Sequence, residues 1–325
     1  MAKQPRGGTG QLSERGIMAY FFQVLETPTD QSWIERVSRY VESDQEIEVY
    51  RDLGQVPRMK VFQGSKDVEQ LKKYELEIRN EEFDVTIGIP TRDIRRDKTG
   101  LIEERVNDLY DASITHWTDL GSGLIVNGHL ADCYDGKKYF AADHQSGKSP
   151  VQSNLLTYTD YSELSIVLKT NPTALEFANA LMKVIQHFFT LKDDQNQPAN
   201  ERAKEFVVQV PINMMAAAQA AVSAAFYAVP GGGQVDNLFK NAKFKVEIEP
   251  NARLTFDDSF VVMRADSRAK ALIRQEEIEP EPKILGAGSD HEFKNKEWLF
   301  SVESTRGIGY GAWHQAIKAT FRTTP

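Results

Sequence analysis

The chain has 325 residues, of which 41% are hydrophobic and 26% charged, enough for one large domain or a few subdomains with a sizeable core. Its single cysteine, Cys133, excludes an internal disulfide framework and a cysteine-only zinc site, and indicates a reducing compartment. The formal net charge of −8 argues against a dedicated nucleic-acid-binding protein. No apolar run approaches the roughly 18 residues of a membrane span, so neither a membrane partner nor secretion is expected.

The N-terminal region is predicted to be an arm. Residues 1–11 are rich in glycine and bury too little apolar surface to fold alone, so we expect a neighbouring chain to support them. Residues 12–26 place apolar side chains at helical spacing. Residues 32–42 predict a second short helix or an extended segment.

Residues 45–97 are dense in charge and alternate polar with apolar side chains, which predicts β-strands. The phase of the alternation changes near Arg79–Glu82, where we expect a bulge or a break. Glycines and a proline in the middle indicate a long β-hairpin that projects from the body. Because an isolated two-stranded hairpin is only marginally stable in water, we expect this one to pack against another subunit.

Charged side chains on this hairpin are the candidate intersubunit contacts. Glu75 and Glu77 share one face of a strand, a pattern more typical of a solvated or intersubunit charge ladder than of acid–base catalysis. Basic residues of the same hairpin are natural partners for the acids of a neighbour. The candidates are Arg51, Arg58, Lys60, Lys66, Lys72, Lys73, Glu75 and Glu77.

The rest of the chain predicts a body of helices and strands. Residues 100–126 form the longest predicted helix, a spine of about 40 Å. A second helix at 173–191 begins with a capping box formed by Thr173 and Glu176. The later predicted elements are a strand at 205–210, an alanine-rich helix at 212–227, strands near 242–248, 258–264 and 269–275, a turn or crossing at 276–282, and two strands around 298–302 and 310–321.

No arrangement of side chains indicates an enzyme. His129, Cys133, Asp143 and His144 are metal-capable, but their spacing matches no usual zinc site, and Cys133 lacks an evident base and third partner. The glycines of RGIGYGAW at 306–313 favour a hairpin turn or strand kink over a phosphate loop. We therefore predict no catalytic, cofactor-binding or metal site. A soluble enzyme using the 129–144 loop is the weaker alternative.

Four sequence blocks, taken in order, resemble the Mu-type phage major head proteins, the T-protein family of capsid subunits. The blocks span most of the chain, from about residue 12 to 321, although residues 1–11 and the segment after Glu249 match less well. They are YRDLGQVPRM at 50–59, CYDGKKYFAADH at 133–144, VVQVP at 207–211 before an alanine-rich helix, and GIGYGAWHQA at 307–316.

The resemblance implies an α+β fold, the Hong Kong 97-type capsid fold. It also implies a major capsid protein that self-assembles into the icosahedral shell enclosing a phage genome. A cargo-holding protein nanocompartment of the same fold is the alternative. The implied parts are an N-terminal arm at 1–44, an E-loop hairpin at 45–97, a P domain at 98–202 with the spine helix, an A domain at 203–285, and a P-domain return at 286–325.

The resemblance also implies the partners. They are identical subunits in hexamers and pentamers, a portal protein, and packaged double-stranded DNA bound without sequence specificity. A separate scaffold protein is expected because the segment before the hairpin is short, and a decoration protein is left open. The implied location is the virion, reached after assembly in the host cytoplasm.

Overall fold

The computed structural model describes residues 32–52, 74–96, 101–229 and 233–324. The predicted helix at 12–26 and the centre of the hairpin lie outside these residues. The helices are α1 (Trp33–Val37), α2 (Thr91–Arg96), α3 (Leu101–Asn127), α4 (Ala174–Thr190), α5 (Met215–Ser223) and α6 (Asp290–Asn295). The strands are β1 (Ser38–Glu42), β2 (Ile47–Asp52), β3 (Tyr74–Arg79), β4 (Glu81–Pro90), β5 (Leu155–Leu156), β6 (Ser165–Ile166), β7 (Glu205–Val210), β8 (Phe226–Val229), β9 (Gly233–Asp236), β10 (Lys245–Pro250), β11 (Ser259–Arg264), β12 (Leu272–Leu285), β13 (Glu297–Tyr310), β14 (Ala316–Thr320) and β15 (Arg322–Thr323).

A four-stranded sheet in the order β1–β12–β13–β4 forms one half of the body. Its centre is the long antiparallel hairpin of β12 and β13, and β1 runs parallel to the start of β12. Alternate residues of β13 are buried, as its period of two requires. Trp298, Phe300 and Val302 pack there with Val106 and Leu109 of α3 in a separate hydrophobic cluster.

A five-stranded sheet in the order β10–β7–β11–β14–β5 forms the other half. Its central strand β11 is buried at every position, which explains the continuous apolar run of its sequence. Helices α4 and α5 pack beside this sheet. The predicted capping box is confirmed, since the Thr173 side chain accepts from the Glu176 backbone and the Glu176 side chain from the Thr173 backbone.

Helix α3 joins the two halves and confirms the long helix predicted at 100–126. Its first half packs in the cluster of the four-stranded sheet, and Ile125 near its end belongs to the larger core. Asn251, after β10, donates to the Ser122 hydroxyl at 2.9 Å and to the Gln209 amide oxygen at 3.0 Å. The helix therefore fixes the two sheets relative to each other. Among the described residues, no helix is both long and apolar enough to cross a membrane.

The prediction for residues 276–282 was wrong. This segment, predicted as a turn or crossing, lies inside strand β12, with register shifts between Glu276 and Ile278 and between Ile278 and Glu281. In the described part of the chain β1 ends opposite Glu276, so the outer edge of β12 beyond it has no partner strand. Prolines are tolerated there because no ladder hydrogen bond needs their missing N–H.

The alanine-rich helix predicted at 212–227 is confirmed over part of this range, but its predicted end is wrong. A 3₁₀ turn at Ile212–Met214 leads into α5, which ends at Ser223. The amide of Asn237 donates to the carbonyl oxygens of Val222 and Ala224, at 3.1 and 2.5 Å, and so satisfies groups at the helix end. The residues that follow, Phe226–Val229, form a hairpin with β9 instead.

The domain boundaries inferred from the resemblance stay predictions, but the sheets cross them. The segment 203–285 contributes strands to both sheets. Strand β12 pairs with β13 in the four-stranded sheet, whereas β7, β10 and β11 lie in the five-stranded sheet. Strands β5 and β14, from segments predicted to belong to the P domain, lie in the five-stranded sheet.

Candidate assembly surfaces

The sequence blocks 133–144 and 307–316 pack against each other in a buried seam. The rings of His144 and Trp313 stack with centroids 4.2 Å apart and planes 3° apart. The rings of Tyr139 and Tyr310 stack at 4.4 Å. The Tyr139 hydroxyl donates to the carbonyl oxygen of Ala271 at 2.8 Å, beside the start of β12. The two blocks are therefore one structural unit that anchors the long hairpin to the body.

A buried pair of His144 and Asp135 lies at the centre of the seam. The His144 Nδ1 atom is 2.6 Å from Asp135 Oδ2, and the side chains are 0% and 1% exposed. Nε2 is 3.2 Å from the carbonyl oxygen of Tyr139 and 3.2 Å from Oδ1 of Asn154. Each ring nitrogen faces only acceptors, so the geometry favours a ring that donates from both nitrogens to form a buried ion pair.

The other metal-capable side chains of this loop do not converge. His129 contacts the carbonyl oxygen of Val126, and Asp143 pairs with Lys137 at 2.5 Å. Within the described residues, no group of three or more His, Cys, Asp or Glu side chains is arranged to hold a metal ion.

Cys133 is packed as a core residue. Its side chain is 5% exposed, and Sγ lies 3.9 Å from the carbonyl oxygen of Gly311. Burial, together with the charge of Asp135, raises the pKa of the Cys133 thiol. A cysteine nucleophile requires a lowered pKa, so this environment opposes the enzyme alternative that uses the 129–144 loop.

We expect Cys133 to resist alkylation in the folded protein. Iodoacetamide at pH 8 should leave the native chain unmodified, because the thiol is buried and protonated, and should modify it fully in urea. Intact-mass spectrometry at matched times reads both reactions. Rapid modification of the native chain would contradict the structural role of this thiol.

The predicted hairpin is confirmed where the structure describes it. Strands β2 and β3 pair from Ile47 opposite Arg79 to Asp52 opposite Tyr74. Of the candidate contact residues, Arg51 and Glu75 occupy directly opposed positions, and Glu77 is exposed opposite Val49. The remaining candidates, Arg58, Lys60, Lys66, Lys72 and Lys73, lie outside the described residues. An intersubunit role for all eight stays a prediction.

The predicted break near Arg79–Glu82 is confirmed at Asn80, which lies between β3 and β4. This buried side chain donates to the Ser43 hydroxyl at 2.9 Å and to the carbonyl oxygen of Gln45 at 2.8 Å. Gln275 on β12 donates to Asn80 Oδ1 at 2.8 Å and to the carbonyl oxygen of Ile78 at 3.0 Å. Its own Oε1 accepts from the Tyr50 hydroxyl at 2.8 Å. The base of the hairpin is thereby fixed to the four-stranded sheet.

Two glycines of the RGIGYGAW motif let the hairpin base approach the sheet closely. A Cβ atom on Gly307 would lie 2.5 Å from the carbonyl oxygen of Arg79, and one on Gly309 would lie 2.5 Å from Cδ1 of Ile78. Both glycines lie inside β13, so the hairpin turn predicted for this motif is wrong at these positions. Close backbone approach is what requires them.

The face of the four-stranded sheet that points away from α3 carries a row of acids. Glu303 on β13 stands opposite Asp84 on β4 and opposite Glu281 on β12. Lys283 is paired with Glu303. Like charges on directly opposed positions destabilise a sheet, so this row favours a cationic partner. Sequence reasoning missed it because the three carboxylates come from segments far apart in the chain.

Comparison with known proteins gives a family match in the N-terminal half. The sequence model described as "Mu-like prophage major head subunit gpT" matches residues 13–170. The chain is 24% identical over 144 residues to the major capsid protein of Escherichia phage Mu, an alignment covering 42% of this chain and 47% of that protein. It is 25% identical over 111 residues to the FluMu major head subunit of Haemophilus influenzae, covering 34% of this chain and 36% of that protein. The matched stretches thus span at most about half of these relatives.

Solved structures give the fold of almost the whole chain. A chain of the cyanophage P-SCSP1u capsid superposes with a TM-score of 0.58 at 10% identity, covering 92% of this chain and 90% of that one. A chain of the bacteriophage JBD30 procapsid superposes with a TM-score of 0.55 at 17% identity, covering 95% and 73%. The predicted α+β fold of the Hong Kong 97 type is confirmed, as is the resemblance to the Mu-type head proteins.

Proposed function

We propose that this chain, with its Mu-like major head subunit sequence over residues 13–170 and its phage capsid fold, is a major capsid protein. Its copies assemble into the icosahedral shell that encloses a phage genome. The observation that carries the proposal is the agreement of two independent findings, since the family match and the fold both lead to capsid subunits. The function is mechanical and involves no catalytic step.

The hairpin supplies the physical reason for assembly. Its strands pair only with each other in the described structure, and its base alone is tied to the body. Ile47 and Val49 project from one face and are 42% and 43% exposed. A two-stranded hairpin with apolar side chains in water is marginal, so a neighbouring subunit is the surface that stabilises it.

Charge complementarity indicates which surface of the neighbouring subunit the hairpin contacts. Residues 53–73 carry the cations Arg58, Lys60, Lys66, Lys72 and Lys73 against the acids Asp67 and Glu69. We assign the acidic row of Asp84, Glu281 and Glu303 on a neighbouring subunit as their counterpart. Each exposed ion pair contributes at most about 1 kcal/mol. Many contacts made at once in a closed shell add up to a stable assembly.

The remaining parts of the proposal follow from the resemblance. The subunits form hexamers and pentamers, and assembly in the host cytoplasm uses a separate scaffold protein and a portal protein. The mature protein lies in the virion with double-stranded DNA inside. Its acidic net charge limits binding to the packaged genome. A nanocompartment shell of the same fold would differ in lacking nucleic acid.

Electron microscopy of the purified protein tests the proposal. We expect shells, rings or tubes, and a lone compact particle at all concentrations would overturn it. The matched variant replaces residues 53–73 by an Asn-Gly turn, which closes the hairpin where Asp52 stands opposite Tyr74. This variant should keep the far-ultraviolet circular dichroism of the body and lose the assemblies.

A further inference from the structure

An apolar knob and a cation-lined cavity lie at opposite ends of the four-stranded sheet. The knob is the tip of the β12–β13 hairpin, which carries α6, and the cavity lies beside the start of β12 and the end of β13. We propose that the knob of one subunit docks into the cavity of a neighbouring subunit, with the Phe293 ring as the inserted group. The inference rests on the proposed function, because its occupant is a second copy of this chain.

The knob presents the most exposed large apolar side chain of the described residues. Phe293 is 87% exposed. Its short helix is held in place, since the Ser289 hydroxyl accepts from the Glu292 backbone at 3.1 Å and Trp298 Nε1 donates to Glu292 Oε1 at 3.1 Å. A phenyl ring presented on a fixed turn loses little conformational entropy when it is buried, which is a property of interface anchors.

The cavity has a size and lining that suit this knob. Its volume is about 220 Å³. A cavity of ~150 Å³ is enough to hold a benzene ring. The lining combines apolar and aromatic side chains with two arginines. The residues expected to contact the inserted ring and its neighbours are Arg39, Tyr50, Leu76, Tyr134, Arg268 and Ile273.

Two of the three cations that line the cavity form no ion pair with the described residues. No acidic side chain of the described chain lines the cavity. The Lys270 ammonium is already used, since it donates to the carbonyl oxygens of Arg36 and Ala265. Arg39 and Arg268 form no ion pair within the described part of the chain. The knob carries Asp290 and Glu292 beside Phe293. Asp290 pairs with Lys294 at 2.5 Å, and Glu292 accepts from Trp298 Nε1 at 3.1 Å, so both carboxylates are held in place next to the ring and face the arginines when the ring is inserted.

A subunit cannot fill its own cavity. Ile273 lines the cavity and Leu285 ends the same strand near the knob. Twelve residues of strand separate them by roughly 40 Å. The contact is therefore between copies and heterologous, a type that closes into rings when the rotation between subunits permits. Tyr50 and Leu76 belong to the base of the hairpin and also line the cavity. A docked knob would therefore contact the base of the neighbour's hairpin and affect its orientation.

Cysteine cross-linking between two variants tests the contact. One full-length chain carries Asn295→Cys, an exposed position on the helix of Phe293 that leaves the ring in place, and the other carries Ala269→Cys at the cavity. The two chains are co-assembled and oxidised. The native Cys133 is buried and gives no background. We expect a shift of chains from the monomer to the dimer position on non-reducing gels of assembled particles, reversed by dithiothreitol.

The control pairs Ala269→Cys with Val167→Cys, a position that is 77% exposed and lies far along the chain from the knob. Shells that form without an Asn295–Ala269 cross-link, or that cross-link equally well through Val167, overturn the inference and leave the proposed function intact. Failure of the wild-type chain to form any assembly overturns the proposed function, and the inference with it.

Discussion

Replacing Asp135 with asparagine should lower the free energy of unfolding of the isolated subunit by about 3 kcal/mol, near the lower end for breaking a buried ion pair. Asp135 and His144 are both almost fully buried, with the carboxylate 2.6 Å from the ring. The asparagine oxygen can still accept a hydrogen bond from the ring, but the buried negative charge that faces Nδ1 is lost. Urea unfolding of unassembled subunits at pH 7, followed by tryptophan fluorescence, measures the effect.

Asp143→Asn is the matched control in the same loop. Asp143 also pairs with a cation, Lys137, but both side chains are about half exposed. Solvent screens an exposed pair, which therefore contributes little to stability, so this variant should unfold close to wild type. Equal effects of the two substitutions would show that His144 does not form a buried ion pair with Asp135.

The seam explains why two sequence blocks carry the resemblance most clearly. Each block contains residues whose partners lie in the other block, some 170 positions away, such as the stacked rings of His144 and Trp313 and the contact of Cys133 with Gly311. Sequence periodicity reports only local structure, so it indicated a loop at 129–144 and could not predict what that loop packs on. The same residues viewed alone suggested metal or thiol chemistry.

Elements with strong local signals were predicted well. Helices α3 and α4 and strand β7 have clear periodicity or caps, and their observed bounds differ from the predicted ones by a residue or less. Strand β12 was predicted poorly because its prolines and acids oppose a strand in any local reading. The hydrogen bonds with β13 stabilise this segment as a strand. Local sequence patterns do not show which strand it pairs with.

The candidate assembly surface was predicted in part. The charge density of residues 45–97 located the hairpin, and its strands follow the alternation of the sequence. The base of the hairpin was not predicted, because Gln275 reaches Asn80 from a strand almost 200 residues later. The acidic row was not predicted for the same reason, since Asp84, Glu281 and Glu303 become neighbours only in the folded sheet.

Replacing Gly307 with alanine should reduce assembly strongly while leaving the subunit folded. The new Cβ atom would lie 2.5 Å from the carbonyl oxygen of Arg79, a backbone atom that can move away only if the hairpin base shifts. Overpacking of this kind costs about 1–3 kcal/mol of subunit stability. The same shift would recur at every hairpin of a shell. We therefore expect the assembled fraction to fall strongly although the subunit itself stays folded.

Gly123→Ala is the control for this substitution, because a Cβ atom on Gly123 meets nothing within 4 Å and alanine favours the helix in which it lies. Velocity sedimentation gives the assembled fraction, and thermal unfolding of the unassembled subunits gives the stability change. A Gly307→Ala protein that assembles like wild type would show that the hairpin can reorient at no cost to the shell. In that case the contacts of Asn80 and Gln275 would fix the subunit alone, and the orientation of the hairpin would be set by its neighbours.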